Sequence, residues 1–384
     1  MTRLTESFKA FFDSEKSSGL LLLACTAVSV ALANSIIGLA YTNLLHVSVG
    51  GLSIEHWIND GLMAIFFLHI GLELEREVYN GELSKFRQAL LPVVAAIGGI
   101  CFPALIHYAF NGRTPTQPGI GIPMATDIAF ALGVLSLLGS RIPTSLKVFL
   151  TALAVIDDLG AIVIIAFFYT AQLSLAYLIG ALLVFVVLVI LNRFCRVMAL
   201  VPYLIGGVLL WFLMLKSGVH ATIAGVLLAF AIPFSAKADD EKSPSHRLEH
   251  FLHKPVTFGI LPIFALANTG VIITASWIQD LTAANSIGII SGLVVGKPLG
   301  ITLVSFAAVA IGVCKLAPDL NWRHIFGAGL LGGIGFTMSI FITNLAFAGK
   351  VETINSSKIS ILLASLMSGL IGFVWLRLFS KGNR

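Results

Sequence analysis

Along this 384-residue chain the apolar residues come in long uniform runs, and charged side chains are confined almost entirely to the gaps between them. A helix rises about 1.5 Å per residue, so about 20 consecutive apolar residues cross the hydrocarbon core of a bilayer. Twelve runs meet that standard, near 18–34, 57–75, 89–110, 119–139, 148–169, 173–192, 199–215, 218–234, 256–274, 286–312, 325–349 and 359–376. Strands of a transmembrane barrel would instead read as segments of about ten residues with alternating polarity. The pattern predicts an all-α polytopic membrane protein of about twelve transmembrane helices, one membrane domain over 1–384.

Three places depart from uniformity. His46 to Ile54 alternates polar and apolar residues around Gly50-Gly51, which predicts a small β-hairpin over 44–54 on the outer face. Hairpin edges are unpaired and can add a second copy, so this is a candidate homodimer contact; a plain loop is the alternative. The other two departures are apolar runs broken by small or rigid residues: Pro118 to Phe130, and Gly327 to Phe341 with its five glycines, two of them adjacent. Each is the middle member of a three-segment group, 89–169 and 286–376. Interrupted segments in corresponding positions point to inverted repeats whose discontinuous helices meet at mid-membrane. The competing reading is that the glycines only permit close helix packing.

Composition agrees with the pattern. Apolar residues make up 57% and charged residues 11%, against about 25% charged in soluble chains, and the mean hydropathy is +0.96. Basic residues crowd alternate connections: Arg3 to Lys16, Arg76 to Arg87, Arg141 and Lys147, Arg193 and Arg196, Lys237 to Lys254, Lys315 and Arg323, and Arg377 to Arg384. The opposite connections hold Arg113, Lys216, Lys350 and Lys358. By the positive-inside rule both termini are cytoplasmic. That bias also explains the pI near 9.0, so the basic balance does not argue for nucleic acid. The run Leu20 to Ala33 imitates a signal peptide, but the long acidic-and-basic stretch before it favours a retained first helix. The four cysteines are too scattered for a disulfide framework or a metal site.

Four ionisable residues fall well inside apolar runs: Asp127, Asp157, Asp158 and Lys297. A charge at the centre of a membrane helix costs roughly 2.5–3.5 kcal/mol on insertion scales, so such residues point to function. Adjacent helix residues diverge by about 100°, so Asp157 and Asp158 face different neighbours. Burial and a like charge raise a carboxylate's pKa while a cation lowers it, and a coupled pair titrates as a unit. A small hard cation wants oxygen ligands, and the same oxygens can hold protons; competition for them couples two fluxes. Lys297, followed by Pro298, is expected to pair with an aspartate at a kinked helix. Asp127 follows a break, where a carboxylate would neutralise two helix N-termini and an ammonium two C-termini. Thr126 is a possible ligand beside it.

A second polar cluster is expected at cytoplasmic helix ends. Glu73 and Glu77 share a face, as do Glu249 and His253, with His250 adjacent. Carboxylates crowded beside histidines suit pH sensing; solvated helix ends are the bland alternative. The acidic Ser235 to Arg247 stretch is expected to be the longest cytoplasmic loop. His69, His107 and His220 read as isolated packing residues.

Met124-Ala-Thr-Asp127-Ile-Ala-Phe-Ala-Leu-Gly, Ala154-Val-Ile-Asp157-Asp158-Leu-Gly-Ala, Lys216-Ser-Gly-Val-His220-Ala-Thr, Gly296-Lys-Pro-Leu-Gly and Gly333-Ile-Gly-Phe-Thr-Met-Ser-Ile-Phe-Ile closely resemble the bacterial NhaA-type sodium/proton antiporters. The likeness runs in order over nearly the whole chain. It implies twelve helices, the fourth and eleventh unwound and crossing, in a multi-pass protein of the bacterial inner membrane. It implies electrogenic, pH-regulated exchange of Na⁺ or Li⁺ for more than one proton, with no cofactor. Asp158 with Asp157 would form the cation and proton site, with Thr126 and Asp127 at the crossing and Lys297 paired to Asp157. Glu73, Glu77, Glu249, His250 and His253 would serve the pH response. Glu75, where a base is expected, and His246, where a lysine is common, depart from the family pattern and bear on the pH midpoint. Two other classes compete. An intramembrane aspartyl protease would use Asp127 and Asp158 as a dyad, but neither has the Gly-x-Gly-Asp context. A cation channel would need no opposed proton movement.

Overall fold

The computed structural model describes residues 2–79, 81, 84, 86–169, 173–235, 243–273, 275 and 277–380. The acidic run 239–241 and Lys85, Lys237, Lys242, Lys381 and Arg384 lie outside the described residues, and the side chains of Arg3, Lys9 and Arg87 are likewise not described. The helices, numbered along the chain, are α1 (Thr2–Ala33), α2 (Gly38–His46), α3 (Ile54–Tyr79), α4 (Phe86–Asn111), α5 (Ile128–Ser136), α6 (Thr144–Phe168), α7 (Leu175–Arg193), α8 (Leu200–Ser217), α9 (Ile223–Ala231), α10 (Pro244–Thr269), α11 (Trp277–Leu281), α12 (Ala284–Ala310), α13 (Trp322–Gly332), α14 (Phe336–Ala346) and α15 (Val351–Phe379). Among the described residues the one sheet is a two-stranded hairpin, β1 (Ser48–Val49) against β2 (Leu52–Ser53), turned through Gly50 and Gly51 at φ 63° and 86°.

Among the described residues ten helices are long and apolar enough to cross a membrane, and the bent pair α13 and α14 brings the total to eleven. The protein is an all-α polytopic membrane protein. The expected eighth span, 218–234, is not a full-length helix: only Ile223–Ala231 is helical, because Gly218 at φ 84° ends α8 and the helix stops before Pro233. Both expected interruptions are present. In the first, a 3₁₀ helix over Gln117–Met124 gives way to extended backbone before α5. In the second, α13 and α14 meet at a 46° bend. The expected kink at Pro298 takes a different form: α12 widens into a π-helical stretch over Gly292–Gly296 immediately before Lys297. The expected loop ends early, since Ser243 caps α10 and Pro244 starts it.

The chain forms two compact units. One comprises 1–38, 85–161 and 268–384, and the other 39–84 and 162–267. In the first, α4 and α12 touch backbone to backbone at Gly98 and Gly300, where a methyl on either residue would overlap the other's carbonyl. Gly300→Ala should therefore destabilise by about 1–3 kcal/mol from overpacking, read as loss of monodisperse protein in detergent. Gly259→Ala, which has nothing within 4 Å of an added Cβ, should retain the parent yield. In the second unit Gly71 and Gly225 bring α3 and α9 together in the same way. Exposed apolar faces such as Leu182, Leu183, Val186 and Val187 on α7 suit lipid rather than water.

Candidate ion-binding site

The two breaks meet within the first unit. Asp127 N donates to Ile334 O at 2.7 Å, Thr126 Oγ1 donates to Gly332 O at 2.8 Å, and Ser339 Oγ donates to Ile122 O at 2.7 Å. Helix ends leave backbone donors and acceptors without intrahelical partners, so two broken helices in an apolar setting must satisfy each other's. Like ends come together as a result.

Asp127 takes the two N-termini. Its Oδ1 accepts from Phe130 N in the first turn of α5 at 2.9 Å, and its Oδ2 accepts from Thr337 N (3.1 Å) and Thr337 Oγ1 (2.5 Å) at the start of α14. Both oxygens of Asp127 are thus held by helix donors. Lys297 takes the C-termini. Its ammonium donates to Met124 O, the last carbonyl of the 3₁₀ helix, and its stem lies beside Gly332 at the end of α13.

Lys297 also pairs with Asp157 on α6. Nζ lies 2.7 Å from Asp157 Oδ2, and both side chains are 0% exposed. Thr126 Oγ1 donates to the same carboxylate oxygen at 2.7 Å, so it bridges Asp157 and the Gly332 carbonyl. Among the described residues Asp157 Oδ1 has no hydrogen-bond partner. Asp158, the next residue on α6, is 1% exposed. The Asp157 carboxylate, the Thr126 hydroxyl and the carbonyls of the breaks thus converge with one ammonium. Oxygen donors of this kind suit a small hard cation, and a buried carboxylate oxygen without a donor is expensive unless a cation or proton visits it.

The second set of expected residues belongs to the other unit. Arg76 organises it, at 2.8 Å from Glu249, 3.2 Å from Glu77 and 3.8 Å from Glu73. His253 lies against His69, ring centroids 5.7 Å apart, while His250 is exposed. The histidines read as isolated all have neighbours: His107 Nε2 is 3.2 Å from Asn285 Oδ1, and His220 Nε2 is 2.8 Å from the Tyr169 carbonyl. Sequence reasoning did not single out Arg76 as the hub. Its position three residues after Glu73 and one before Glu77 was the available signal. Thr337 and Ser339 carry no local signal of their contacts, because their partners lie 210 and 217 residues away.

A family model described as Na+/H+ antiporter 1 matches residues 9–376. The Na(+)/H(+) antiporter NhaA of Dechloromonas aromatica (strain RCB) is 69% identical over 382 residues, covering 100% of this chain and 98% of that protein. Na(+)/H(+) antiporter NhaA 1 of Flavobacterium johnsoniae is 58% identical, covering 100% and 99%. The Vibrio alginolyticus Na(+)/H(+) antiporter NhaA is 49% identical, covering 97% of each. A match over nearly the whole length, at identities this high, places the chain in the Na+/H+ antiporter 1 family, among secondary transporters rather than enzymes.

Proposed function

We propose that the chain exports Na⁺ or Li⁺ across a bacterial inner membrane in exchange for more than one proton. The observation that supports this most is the buried Asp157 carboxylate beside Asp158, with one oxygen held by Lys297 and Thr126 and the other without a donor. An arriving Na⁺ takes Asp157 and Asp158 as ligands. Asp158 gives up its proton, and the Lys297–Asp157 pair, parted by the ion, gives up the second. Metal ion and protons exclude one another, so neither passes without the other. One Na⁺ leaving for two protons entering carries net positive charge inward, which an inside-negative potential drives. Thr126 is a further oxygen ligand. Asp127 and Lys297 neutralise the paired helix ends. The groups 89–169 and 286–376 act as inverted repeats around the crossing, both termini face the cytoplasm, and hairpin 44–54 pairs with a second copy.

In everted vesicles, Na⁺ should collapse a respiration-generated ΔpH. A channel would pass Na⁺ current without moving protons, so Na⁺ current with an intact ΔpH would overturn the reading. The sign of the pH dependence is set by competition: protons occupy the site as pH falls, so Na⁺ binding weakens. The apparent KM for Na⁺ should rise by about tenfold per unit of acidification for one displaced proton, and toward about a hundredfold for two.

The Arg76 cluster supports a pH response, because Arg76 on α3 reaches α10 through the Glu249 carboxylate and protonating Glu249 weakens that contact. Glu249→Gln should shift the half-activation pH without lowering the maximal exchange rate. An unshifted profile would leave these residues as ordinary helix ends.

A further inference from the structure

The long helix α15 contributes no ligand to the ion site, yet one of its side chains reaches the break between α13 and α14. Ser357 and Ser360 turn back on their own helix, donating to the carbonyls of Thr353 (2.6 Å) and Ser356 (2.9 Å). Ser365 is used differently: its Oγ accepts from Phe336 N, the first residue of α14, at 3.1 Å. Ser365 is 7% and Phe336 3% exposed, so the contact is made away from solvent. Ser368, one turn further along, faces the same break. Its Oγ lies 2.7 Å from where a Cβ on Gly333 would stand, and among the described residues it has no hydrogen-bond partner. Of these two buried serines, one carries a backbone donor and the other carries none.

The N–H groups that open a helix have no partner within it. At α14, Thr337 N goes to Asp127 Oδ2 and Phe336 N goes to Ser365, while Ser339 N closes the first turn on Gly335 O. Asp127 Oδ2 already accepts twice from Thr337. Without the Ser365 oxygen, Phe336 N would be a buried donor with no acceptor, and the break would turn to find one. Glycines at 333 and 335 let the backbone do so. Just upstream, Gly332 O accepts from Thr126 Oγ1, which also donates to Asp157 Oδ2, and Ile334 O accepts from Asp127 N. A turn at Phe336 is therefore passed to the oxygens that face the cation.

We propose that Ser365 is a positioning residue of the ion site: its hydroxyl oxygen anchors the start of α14 and thereby fixes the Gly332 carbonyl on which Thr126 and Asp157 are aligned. Ser365 sets Na⁺ affinity rather than turnover. This role rests on the reading of Thr126 as a cation ligand beside Asp157.

The test is Na⁺/H⁺ exchange by the full chain in proteoliposomes at one alkaline pH, for Ser365→Ala, Ser365→Thr and Ser368→Ala, with Thr126→Ala as reference. Partners that orient a metal ligand typically carry about tenfold or more in affinity. Ser365→Ala should therefore raise the KM for Na⁺ by about tenfold at the parent maximal rate. Thr keeps the hydroxyl and should keep the parent KM, as should Ser368→Ala, which deletes a hydroxyl that holds nothing. If the Ala variant does not accumulate, Ser365→Cys, similar in size but a weak acceptor, should raise the KM in its place. A parent KM in the Ala or Cys variant, or a lower maximal rate at the parent KM, makes Ser365 a packing contact and overturns the proposal. Equal KM shifts in Ser365→Ala and either Ser365→Thr or Ser368→Ala assign the effect to volume and overturn it too. If Thr126→Ala raises the KM while Ser365→Ala does not, the anchor is wrong and the ion site stands. If Thr126→Ala keeps the parent KM, the ligand reading itself falls and the anchor's route with it.

Discussion

Asp158→Asn should abolish Na⁺-dependent collapse of ΔpH in everted vesicles at every pH, while the variant reaches the membrane at the parent level. This is the expected result because Asn conserves shape but can neither carry the charge a cation needs nor release a proton. Removing one partner from a buried charge pair costs about 3–5 kcal/mol. That is about two to three and a half powers of ten in affinity, enough to put exchange below detection. The variant should fold, because the neutral side chain is less costly to bury than the aspartate it replaces. Persistent Na⁺-dependent dequenching, with the variant present in the membrane, would remove Asp158 from its assigned role.

Lys297→Ala has the largest expected effect on stability. The ammonium is 0% exposed and serves Asp157 Oδ2 and the Met124 carbonyl, so its loss strands a buried carboxylate and a helix end together. The expected destabilisation is about 3–5 kcal/mol, read as a lower thermal unfolding midpoint in detergent. Because most of that arises from the stranded carboxylate, Asp157→Ala/Lys297→Ala should be more stable than Lys297→Ala alone. A double variant no better than the single would mean that the lysine stabilises through Met124 and packing, and not through the ion pair. Electroneutral exchange surviving in Lys297→Gln would assign the second proton to Lys297. Current on a Na⁺ pulse equal to the parent's would assign the second proton to another group.

The fold was legible where one-dimensional pattern suffices. Long apolar runs marked the spans, since lipid admits few alternatives to a helix. Pro118 to Pro123 and Gly327 to Gly335 marked the breaks, because such residues weaken or end a helix wherever they stand. The run 218–234 misled for a related reason. Hydropathy sees apolar residues but not Gly218 in the left-handed region ahead of them, and nine helical residues replaced a span. The π-helical stretch before Lys297 was likewise invisible, since it depends on how α12 packs.

At the candidate site, the chain alone established which residues could not be incidental. Asp127, Asp157, Asp158 and Lys297 carry charge where lipid tolerates it poorly, and that penalty depends on residue type and depth rather than on partners. Which of them touch was decided only by the tertiary structure. Lys297 finds Met124 across 173 positions, Thr126 finds Gly332 across 206, and Arg76 finds Glu249 across 173. The two broken helices have orphan donors and acceptors that only each other's ends can satisfy, so the crossing, not the local sequence, selects the aspartate that caps and the aspartate that pairs. A charge is a property of a residue, and a partner is a property of the fold.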